Sequence, residues 1–417
     1  MTSEYREAFV WVWLKEETEP VVAGRLTLDG DRLVFNYGRS YLQRKNAIAL
    51  FEPELPLKAG ILEPDAGHEI HGCIRDASPD AWGRRVIINR LLGLKKGHID
   101  TALLSELTYL LESGSDRVGA LDFQRSAFDY VPRLSEGVSM AELLEAAERV
   151  EQGMSVPVEL EQALYHGTSI GGARPKAQIE DQGKKYIAKF SSSSDLYSVV
   201  KAEYVAMKLA SLVGIKVANV SLKSSAGKDV LLVERFDREA SKSGWLRKHM
   251  VSALTLLGLN EMQARYASYE QLADLVRANF VNASDTLREL FGRITFNIIC
   301  GNTDDHARNH AAFWDGNGYT LTPAYDICPQ GRSGNIASQA MLIRGGQRQS
   351  QLSICLKSAN AYLLSEQEAK DIIDFQIKTV ESSWESVCSD AGLSSVDMRL
   401  LWKRAVLNPY ILEGFSR

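Results

Sequence analysis

The sequence is poor in cysteine and has no long apolar run. Its five cysteines among 417 residues are scattered and never form a C-x-x-C pair. We therefore expect reduced thiols rather than a disulfide framework or a zinc–thiolate site. No run approaches the ~18 apolar residues of a membrane-spanning helix, and the first residues lack the basic-then-apolar pattern of a signal peptide. These absences predict a cytoplasmic protein.

An excess of basic charge is also missing. The formal net charge is −5 at pH 7, so the overall composition gives no sign of a nucleic-acid-binding surface. Hydrophobic residues make up 45% and charged residues 24% of the chain, which is ordinary for a globular protein. A chain of this length has room for two or three domains at about 100–200 residues each.

The order of predicted elements changes along the chain from β-rich to helical. Hydrophobic periodicity and turn residues predict strands at 9–14, 21–28, 33–37, 177–180, 185–190, 217–222 and 230–234. Helices are predicted at 78–92 with Ser78 as N-cap, at 101–112, after a capping box at Ser139, at 196–213 and through most of the chain after 237. The expected class is α+β, with domains at 1–155, 156–236 and 237–417.

One stretch after a predicted helix has a spacing with chemical meaning. Gly301-Asn-Thr-Asp-Asp-His-Ala-Arg-Asn-His310 contains Asp304 and, five positions later, Asn309; Asp326 follows a predicted hairpin. Phosphoryl transfer needs a carboxylate that receives the proton of the attacking hydroxyl, and an amide oxygen and second carboxylate for Mg²⁺. Protein kinases space these groups in the same way. Asp326 is followed by Ile-Cys, whereas kinases have Phe-Gly at these positions. The spacing of the three residues therefore matches that of kinases, but the residues around Asp326 differ.

A glycine-containing loop precedes two strands in the middle of the chain. Residues 166–176 include Gly171 and Gly172, which would let backbone N–H groups approach a phosphate. Lys189 then lies among apolar residues of a strand, where a kinase keeps its phosphate-binding lysine. The next predicted helix carries Glu203 as a possible partner for that lysine, and the strand ending at Glu234 and Phe236 would connect two lobes. This order predicts a protein-kinase-like two-lobed fold.

The same residues resemble those of a known family. Ser169-Ile-Gly-Gly-Ala-Arg-Pro-Lys176, Val233-Glu-Arg-Phe-Asp-Arg238, the 301–310 motif and Pro323-Ala-Tyr-Asp326 are similar to segments of HipA-type toxin kinases. Pro79-Asp-Ala-Trp-Gly-Arg-Arg85 and Val118-Gly-Ala-Leu121 resemble the N-terminal subdomain of that family. The resemblance thus extends over nearly the whole chain, and the 301–310 motif is its most specific part.

The resemblance implies an ATP- and Mg²⁺-dependent serine/threonine kinase. Asp304 would be the catalytic base, Asn309 and Asp326 the Mg²⁺ ligands, and Lys189 the phosphate-binding lysine. We assign no role to Asp305 or Arg308. The remaining nucleotide-site residues are expected to be Ser169, Ile170, Gly171, Gly172, Ala173, Glu234, Phe236, His306 and Tyr325, with His306 as an orienting group rather than a base.

The resemblance also implies partners and regulation. The family members are toxins of toxin–antitoxin pairs, linked to persistence, with a small helix-turn-helix HipB-like antitoxin through which they contact DNA. Their substrates are typically aminoacyl-tRNA synthetases. Ser169 falls at the position of a regulatory autophosphorylation site, where a phosphate adds about two negative charges and would expel the glycine loop.

Two other functions fit parts of the sequence. A metal-dependent hydrolase would use His306 and His310, which would share a face if they lay on a helix. A pseudokinase corepressor would act through its antitoxin and DNA, although such a protein should have lost one of the kinase residues. Arg84, Arg85 and Arg90 could touch phosphates, but a solvated helix face is the favoured interpretation.

Overall fold

The computed structural model describes residues 5–92, 101–134, 138–154, 156–157, 160, 168, 172, 174–192, 195–332 and 334–416. Its internal contacts group the chain into two compact units. The first contains residues 1–193, 223–251 and 314–317, and the second contains 194–222, 252–313 and 318–417. Sheets and helices are mixed along the chain, as the α+β prediction requires.

The first unit begins with a five-stranded antiparallel sheet, and four of its strands each carry at least three buried side chains. Its strand order is β4–β3–β2–β1–β5, with a bulge between Val10 and Trp11. The predicted strands at 9–14, 21–28 and 33–37 are confirmed within a few residues. The strands are β1 Glu7–Val12, β2 Val21–Asp29, β3 Arg32–Tyr37, β4 Ile61–Leu62 and β5 Leu121–Gln124.

The helices of this unit correct several predictions. They are α1 Arg39–Leu42, α2 Gly72–Asp76, α3 Ala81–Leu92, α4 Glu106–Glu112 and α5 Met140–Glu151. Ser78 is not the N-cap of α3, because the helix begins later and the Ser78 hydroxyl donates to Glu106 instead. The helix predicted at 101–112 is divided into a 3-10 turn and α4, which Ser105 caps. The capping box at Ser139 is confirmed.

The basic residues of α3 do not form a solvated face. Arg84 donates to both carboxylate oxygens of Glu106, at 2.5 and 2.8 Å, and lies over the ring of Tyr109. Arg90 donates to Glu112 at 2.9 Å. The interpretation of a solvated face was wrong for these two arginines, because acids about 22 residues away in sequence fold back onto α3.

A second antiparallel sheet in this unit carries the residues predicted to bind nucleotide. Its strand order is β6–β7–β9–β8, followed by a β10–β11 hairpin. The predicted strands at 177–180 and 185–190 are joined by a tight turn, in which Gln182 and Gly183 both have positive φ, as a two-residue hairpin turn requires. The strands are β6 Lys176–Asp181, β7 Lys184–Phe190, β8 Val220–Ser225, β9 Lys228–Glu234, β10 Arg238–Ser241 and β11 Gly244–Arg247.

Two helices from the earlier part of the chain cover this sheet. Trp82 and Val86 of α3 and the apolar face of α5 pack against Ala188, Phe190 and Leu232 in one buried cluster. Burial of large apolar side chains contributes roughly 1.5–3 kcal/mol each, so this cluster is a main source of stability for the sheet. The sheet and the segment before residue 155 therefore share a core.

The second unit is mainly helical, as predicted for the C-terminal part. Its longest helices are amphipathic, and α9 is buried along most of its length. The helices are α6 Val199–Leu212, α7 Ala253–Leu256, α8 Tyr269–Asn279, α9 Ala283–Cys300, α10 Leu352–Lys357, α11 Glu366–Asp390 and α12 Ser395–Leu401. The short strands in this part of the chain are β12 Met250–Ser252, β13 Ala311–Trp314 and β14 Tyr319–Leu321, of which β13 and β14 form a hairpin. Within the described residues, no helix is long and apolar enough to cross a membrane.

One partly buried acid in the first unit, Glu54, should make stability depend on pH. Glu54 accepts a hydrogen bond from the backbone N–H of Cys73 in the first turn of α2. Burial raises the pKa of Glu54 to about 7, with Asp76 adding to the shift and the backbone donors and Arg75 opposing it. The folded protein therefore holds this proton more tightly than the unfolded chain, in which the pKa of the glutamate side chain is 4.5.

We predict that Glu54→Gln will flatten the pH dependence of stability between pH 4.5 and 7. In the wild type the stabilisation from the bound proton is complete below pH 4.5 and is lost as pH rises through 7, a change of about 3 kcal/mol at most. Urea denaturation at several pH values measures it, with the exposed neighbour Glu52→Gln as control. An unchanged slope in Glu54→Gln would contradict the assignment.

Candidate active site

The candidate catalytic loop begins where α9 ends. Gly301 has φ of +78°, the left-handed conformation that commonly ends a helix. A side chain at this position would also place its Cβ 2.5 Å from the carbonyl oxygen of Ala405. Both constraints require glycine, and together they turn the chain from the buried helix into the 301–310 motif.

A buried carboxylate holds this loop in shape. The Oδ2 atom of Asp305 accepts hydrogen bonds from the hydroxyl of Tyr269 and from Asn297 Nδ2 at 2.7 Å, and it lies 3.0 Å from His310 Nε2. Asn297 in turn accepts a bond from Asn302 Nδ2 at 2.9 Å. Asp305 thus joins two helices and both halves of the loop.

The electrostatics of Asp305 support an ionised, structural carboxylate. Burial alone would raise its pKa, but His310 and the hydrogen-bond donors hold the pKa of Asp305 below its usual range. Burial and the Asp305 charge raise the pKa of the Tyr269 hydroxyl well above its ordinary value, which keeps that hydroxyl a donor. A buried carboxylate is tolerated only with such partners.

The preceding residue, Asp304, has the opposite environment. Its side chain is exposed, whereas that of Asp305 is buried. Partial desolvation raises the pKa of Asp304; the nearby carboxylates of Asp326 and Asp305 add to the shift, and His306 opposes it. An accessible carboxylate with a raised pKa is a better proton acceptor than an ordinary surface aspartate.

Asn309 lies close to Asp304 because the loop ends in a 3-10 turn, Ala307–Asn309. The buried Asn309 side chain donates from Nδ2 to the carbonyl oxygen of Asp304 at 3.4 Å. The backbone N–H of Asn309 donates to the carbonyl oxygen of His306 at 2.8 Å. These contacts fix the amide and leave Oδ1 as the atom suited to a cation.

Asp326 follows the β13–β14 hairpin in a conformation that is uncommon for a non-glycine residue. Its φ is +60°, in the left-handed region that aspartate tolerates better than most residues. The segment before it is anchored, since Ala324 makes backbone hydrogen bonds with Lys216 and Ala218. Tyr325 donates its hydroxyl to the carbonyl oxygen of Arg308 at 2.7 Å, which ties this segment to the catalytic loop.

The geometry of the histidines does not favour the hydrolase interpretation. His306 and His310 flank a 3-10 turn rather than lying on an α-helix, so the shared helix face expected for them was wrong. The ring of His310 is buried against Asp305 and Tyr269. In the part of the chain that the structure describes, no three His, Cys, Asp or Glu side chains group as a metal site.

In the first unit, Lys189 lies on β7 as the pattern predicts. Its neighbours Ala188 and Phe190 are buried, and Lys189 itself is only 9% exposed. Lys189 pairs in register with Leu231 of β9. Glu203, its suggested partner, is buried on α6 in the second unit, and the pairing of the two stays a prediction.

Most of the predicted glycine loop, including Ser169, Ile170, Gly171 and Ala173, lies outside the described residues. Gly172 is described and has φ of +100°. Its N–H donates to Asp80 Oδ2 at 2.7 Å, and its carbonyl accepts from the N–H of Trp82 at 3.1 Å. A Cβ at Gly83 would collide with the carbonyl oxygen of Thr168. The start of α3 therefore holds the described part of this loop.

The predicted lobe connection lies at the end of β9. Glu234 pairs with Tyr186 of β7 in register, and its carboxylate accepts from Lys184 Nζ at 2.9 Å. The next residue, Arg235, donates its backbone N–H to the carbonyl oxygen of Lys185 at 2.8 Å. Phe236 follows and is half-buried.

Sequence reasoning missed several of the residues that shape this site. Asp305 was assigned no role, although it is buried and bonded to Tyr269, Asn297 and His310. The sequence placed Asp80 and Gly83 in a helix and in a segment that resembles the family, but it did not predict their contacts with Gly172 and Thr168. Their partners are distant in sequence, so no local pattern signals the contacts.

The fold and the loop define a member of the HipA family. The model of the HipA N-terminal domain matches residues 11–124, and the model of the HipA-like C-terminal domain matches residues 168–384. The second match alone covers more than half of the chain, so the chain belongs to this family.

The relatives include named kinases. Over 336 residues the chain is 24% identical to the serine/threonine-protein kinase toxin HipA of Shewanella oneidensis, covering 74% of this chain and 72% of that protein. Over 334 residues it is 25% identical to the putative kinase Y4mE of Sinorhizobium fredii, covering 73% and 74%. The chain is also similar in structure to a chain of the solved complex of S. oneidensis HipA, HipB and operator DNA. The superposition covers 97% of this chain and 96% of that chain, with 20% sequence identity and a TM-score of 0.65. This match confirms the predicted fold class.

We predict that Asp305→Asn will destabilise the protein by about 3 kcal/mol, because an amide cannot serve the donors of Tyr269, Asn297 and His310 as the carboxylate does. Urea denaturation measures the loss. The matched control is Asp304→Asn, which changes an exposed carboxylate and should alter the free energy of unfolding by less than about 0.5 kcal/mol. Equal stability of the two variants would disprove the structural role of Asp305.

Proposed function

We propose that the protein is an ATP-dependent serine/threonine protein kinase that acts as the toxin of a toxin–antitoxin module. The observation that carries the proposal is the contrast between neighbouring acids: Asp305 is buried and contacts three polar side chains, while Asp304 is exposed with a raised pKa. A rigid loop that presents one accessible carboxylate suits the removal of a proton from an acceptor hydroxyl.

Asp304 would act as the base. Its pKa is raised, chiefly by partial desolvation, so this carboxylate accepts a proton more readily than an ordinary surface aspartate. The hydrogen bond from Asn309 to the Asp304 carbonyl fixes the backbone from which this carboxylate projects. The acceptor serine or threonine oxygen would give its proton to Asp304 as it attacks the terminal phosphorus of ATP. The bond from that phosphorus to the bridging oxygen of ADP would break, and ADP would leave with the electron pair.

Asn309 and Asp326 would hold the divalent cation. Their donor atoms are an amide oxygen and a carboxylate, the hard oxygen ligands that suit Mg²⁺. The influence of Asp326 on the pKa of Asp304 means that two carboxylates lie near each other, and a cation relieves that repulsion. Bound Mg²⁺ would supply positive charge to the phosphate oxygens of ATP.

The residues of the first unit would bind the nucleotide. The buried Lys189 ammonium suits the phosphates of ATP, and the loop that includes Gly172 offers backbone N–H groups. The end of β9 at Glu234 and Phe236 would receive the adenine ring. We also propose Ser169 as the site of autophosphorylation, with phosphate displacing the loop from the nucleotide.

The proposed partners follow from the relatives. The S. oneidensis HipA structure is a complex with HipB and operator DNA, which supports a HipB-like antitoxin as partner and contact with DNA through that antitoxin. We propose an aminoacyl-tRNA synthetase as substrate, so that phosphorylation would inhibit translation. A corepressor role through the antitoxin is compatible with the kinase activity.

We predict that incubation with ATP and Mg²⁺ will add one phosphate to the wild type, at Ser169, and none to Asp304→Ala. Intact mass followed by peptide mapping measures this, and the starting mass identifies protein that is already phosphorylated. Asp390→Ala, an exposed acid at the end of α11, is the matched control and should behave as the wild type. Phosphate uptake by Asp304→Ala at the wild-type rate would contradict the assignment of the base.

A further inference from the structure

A buried turn of the first unit, residues 115–119, meets the strands that carry the proposed nucleotide-binding residues. Ser115 and Arg117 are fully buried and Asp116 is 7% exposed. The turn belongs to the region that matches the HipA N-terminal domain, whereas its partners belong to the HipA-like C-terminal domain. None of the residues of this turn has a role in the proposed reaction.

Asp116 is the centre of a buried charge cluster. Its Oδ1 atom accepts from Arg235 Nη1 at 3.0 Å and from Arg238 Nη2 at 2.9 Å, and its Oδ2 atom accepts from Lys185 Nζ at 2.6 Å. Burial alone would raise the pKa of Asp116, but the three cations hold it well below its usual range. Asp237, which also bonds both arginines, is the second carboxylate of the cluster.

Backbone atoms of the turn extend the contact. The carbonyl of Arg117 accepts from Arg235 Nη2 at 2.6 Å, and the carbonyl of Gly119 accepts from Arg238 Nη1 at 2.8 Å. Gln178 on β6 donates to the carbonyl of Asp116. In the reverse direction, the N–H of Gly119 donates to Asp237 at 2.8 Å. The turn therefore contacts β6, β7 and the chain that leaves β9.

These contacts lie next to the nucleotide-binding positions. Lys185 is on the same strand as Lys189 and, four residues away, on the same face of the sheet. Arg235 immediately follows Glu234, and Phe236 lies in the sequence between Arg235 and Arg238, the two arginines that bind Asp116. The backbone N–H of Arg235 bonds the carbonyl oxygen of Lys185 directly beside the Tyr186–Glu234 pair. A shift of Arg235 or Lys185 would therefore disturb the pairing of β7 and β9 that places Glu234 and Lys189.

We propose that Asp116 is a positioning residue for nucleotide binding. Through Lys185 and Arg235 it fixes β7 and the end of β9, and so sets the places of Lys189, Glu234 and Phe236 without touching the nucleotide. This inference rests on the proposed function. Because Asp116 belongs to the HipA N-terminal domain, the role of this domain in nucleotide binding would be to hold the nucleotide-binding strands in place.

The test separates positioning from simple stability. Asp116→Asn leaves three buried cations with one carboxylate, whereas Lys185→Met removes a single cation and is the milder variant should Asp116→Asn fail to fold. The matched control is Asp122→Asn: Asp122 is also buried and also pairs with two arginines, Arg117 and Arg133, but contacts none of the nucleotide-binding strands. Each variant is assayed on the full chain below its unfolding temperature.

Two readouts are used, the affinity for Mg·ADP by calorimetry and the rate of autophosphorylation as a function of ATP concentration. We expect Asp116→Asn and Lys185→Met to weaken Mg·ADP binding and to raise the KM for ATP about tenfold, with kcat within about twofold of the wild type. Asp122→Asn should lower the unfolding temperature and leave both nucleotide constants unchanged.

The outcomes are distinguishable. Unchanged affinity and KM in both Asp116→Asn and Lys185→Met, with normal binding by the wild type, would overturn the positioning role and leave the kinase proposal intact. An equal loss in Asp122→Asn would show that the effect is general destabilisation and would also overturn it. Absence of Mg·ADP binding by the wild type would instead refute the proposed function, and this inference with it.

Discussion

The hydrogen bonds to the buried carboxylate of Asp305 are the interaction on which the candidate active site depends. They join Tyr269 on α8, Asn297 on α9 and His310 at the end of the loop. Because a buried charge is costly without partners, the loop has few alternative conformations that satisfy all of these groups. Asp304, one residue earlier, is consequently exposed on a rigid support.

The spacing of Asp304, Asn309 and Asp326 could be read from the sequence because it is local: a short loop and one hairpin relate the three residues. The role of Asp305 could not be read in this way, since Tyr269 and Asn297 lie 36 and 8 residues before it and only helix packing brings them to its carboxylate. The same limit explains Ser78, whose hydroxyl bonds Glu106 from another helix instead of capping its own. Local sequence patterns predicted most strands and the capping box at Ser139 correctly. They failed at residues such as Ser78, whose side chain bonds a residue distant in sequence instead of its own helix.

Among the buried carboxylates in the described part of the chain, Asp305 and Asp116 have similar environments. Each is removed from water, each is held ionised by several donors, and each lies beside residues proposed to take part in phosphoryl transfer. In both cases the functional side chain is a neighbour of the buried acid rather than the acid itself. The strength of charge-assisted hydrogen bonds in a buried setting makes such acids suitable for fixing backbone positions.

The most direct test of the central claim is the Mg²⁺ dependence of nucleotide binding, measured by calorimetry with a non-hydrolysable ATP analogue. If Asp326 and Asn309 hold the cation, Mg²⁺ will tighten binding to the wild type, and Asp326→Asn will lose most of that gain while still binding the analogue without metal. A gain from Mg²⁺ that is undiminished in Asp326→Asn would contradict the account of the site.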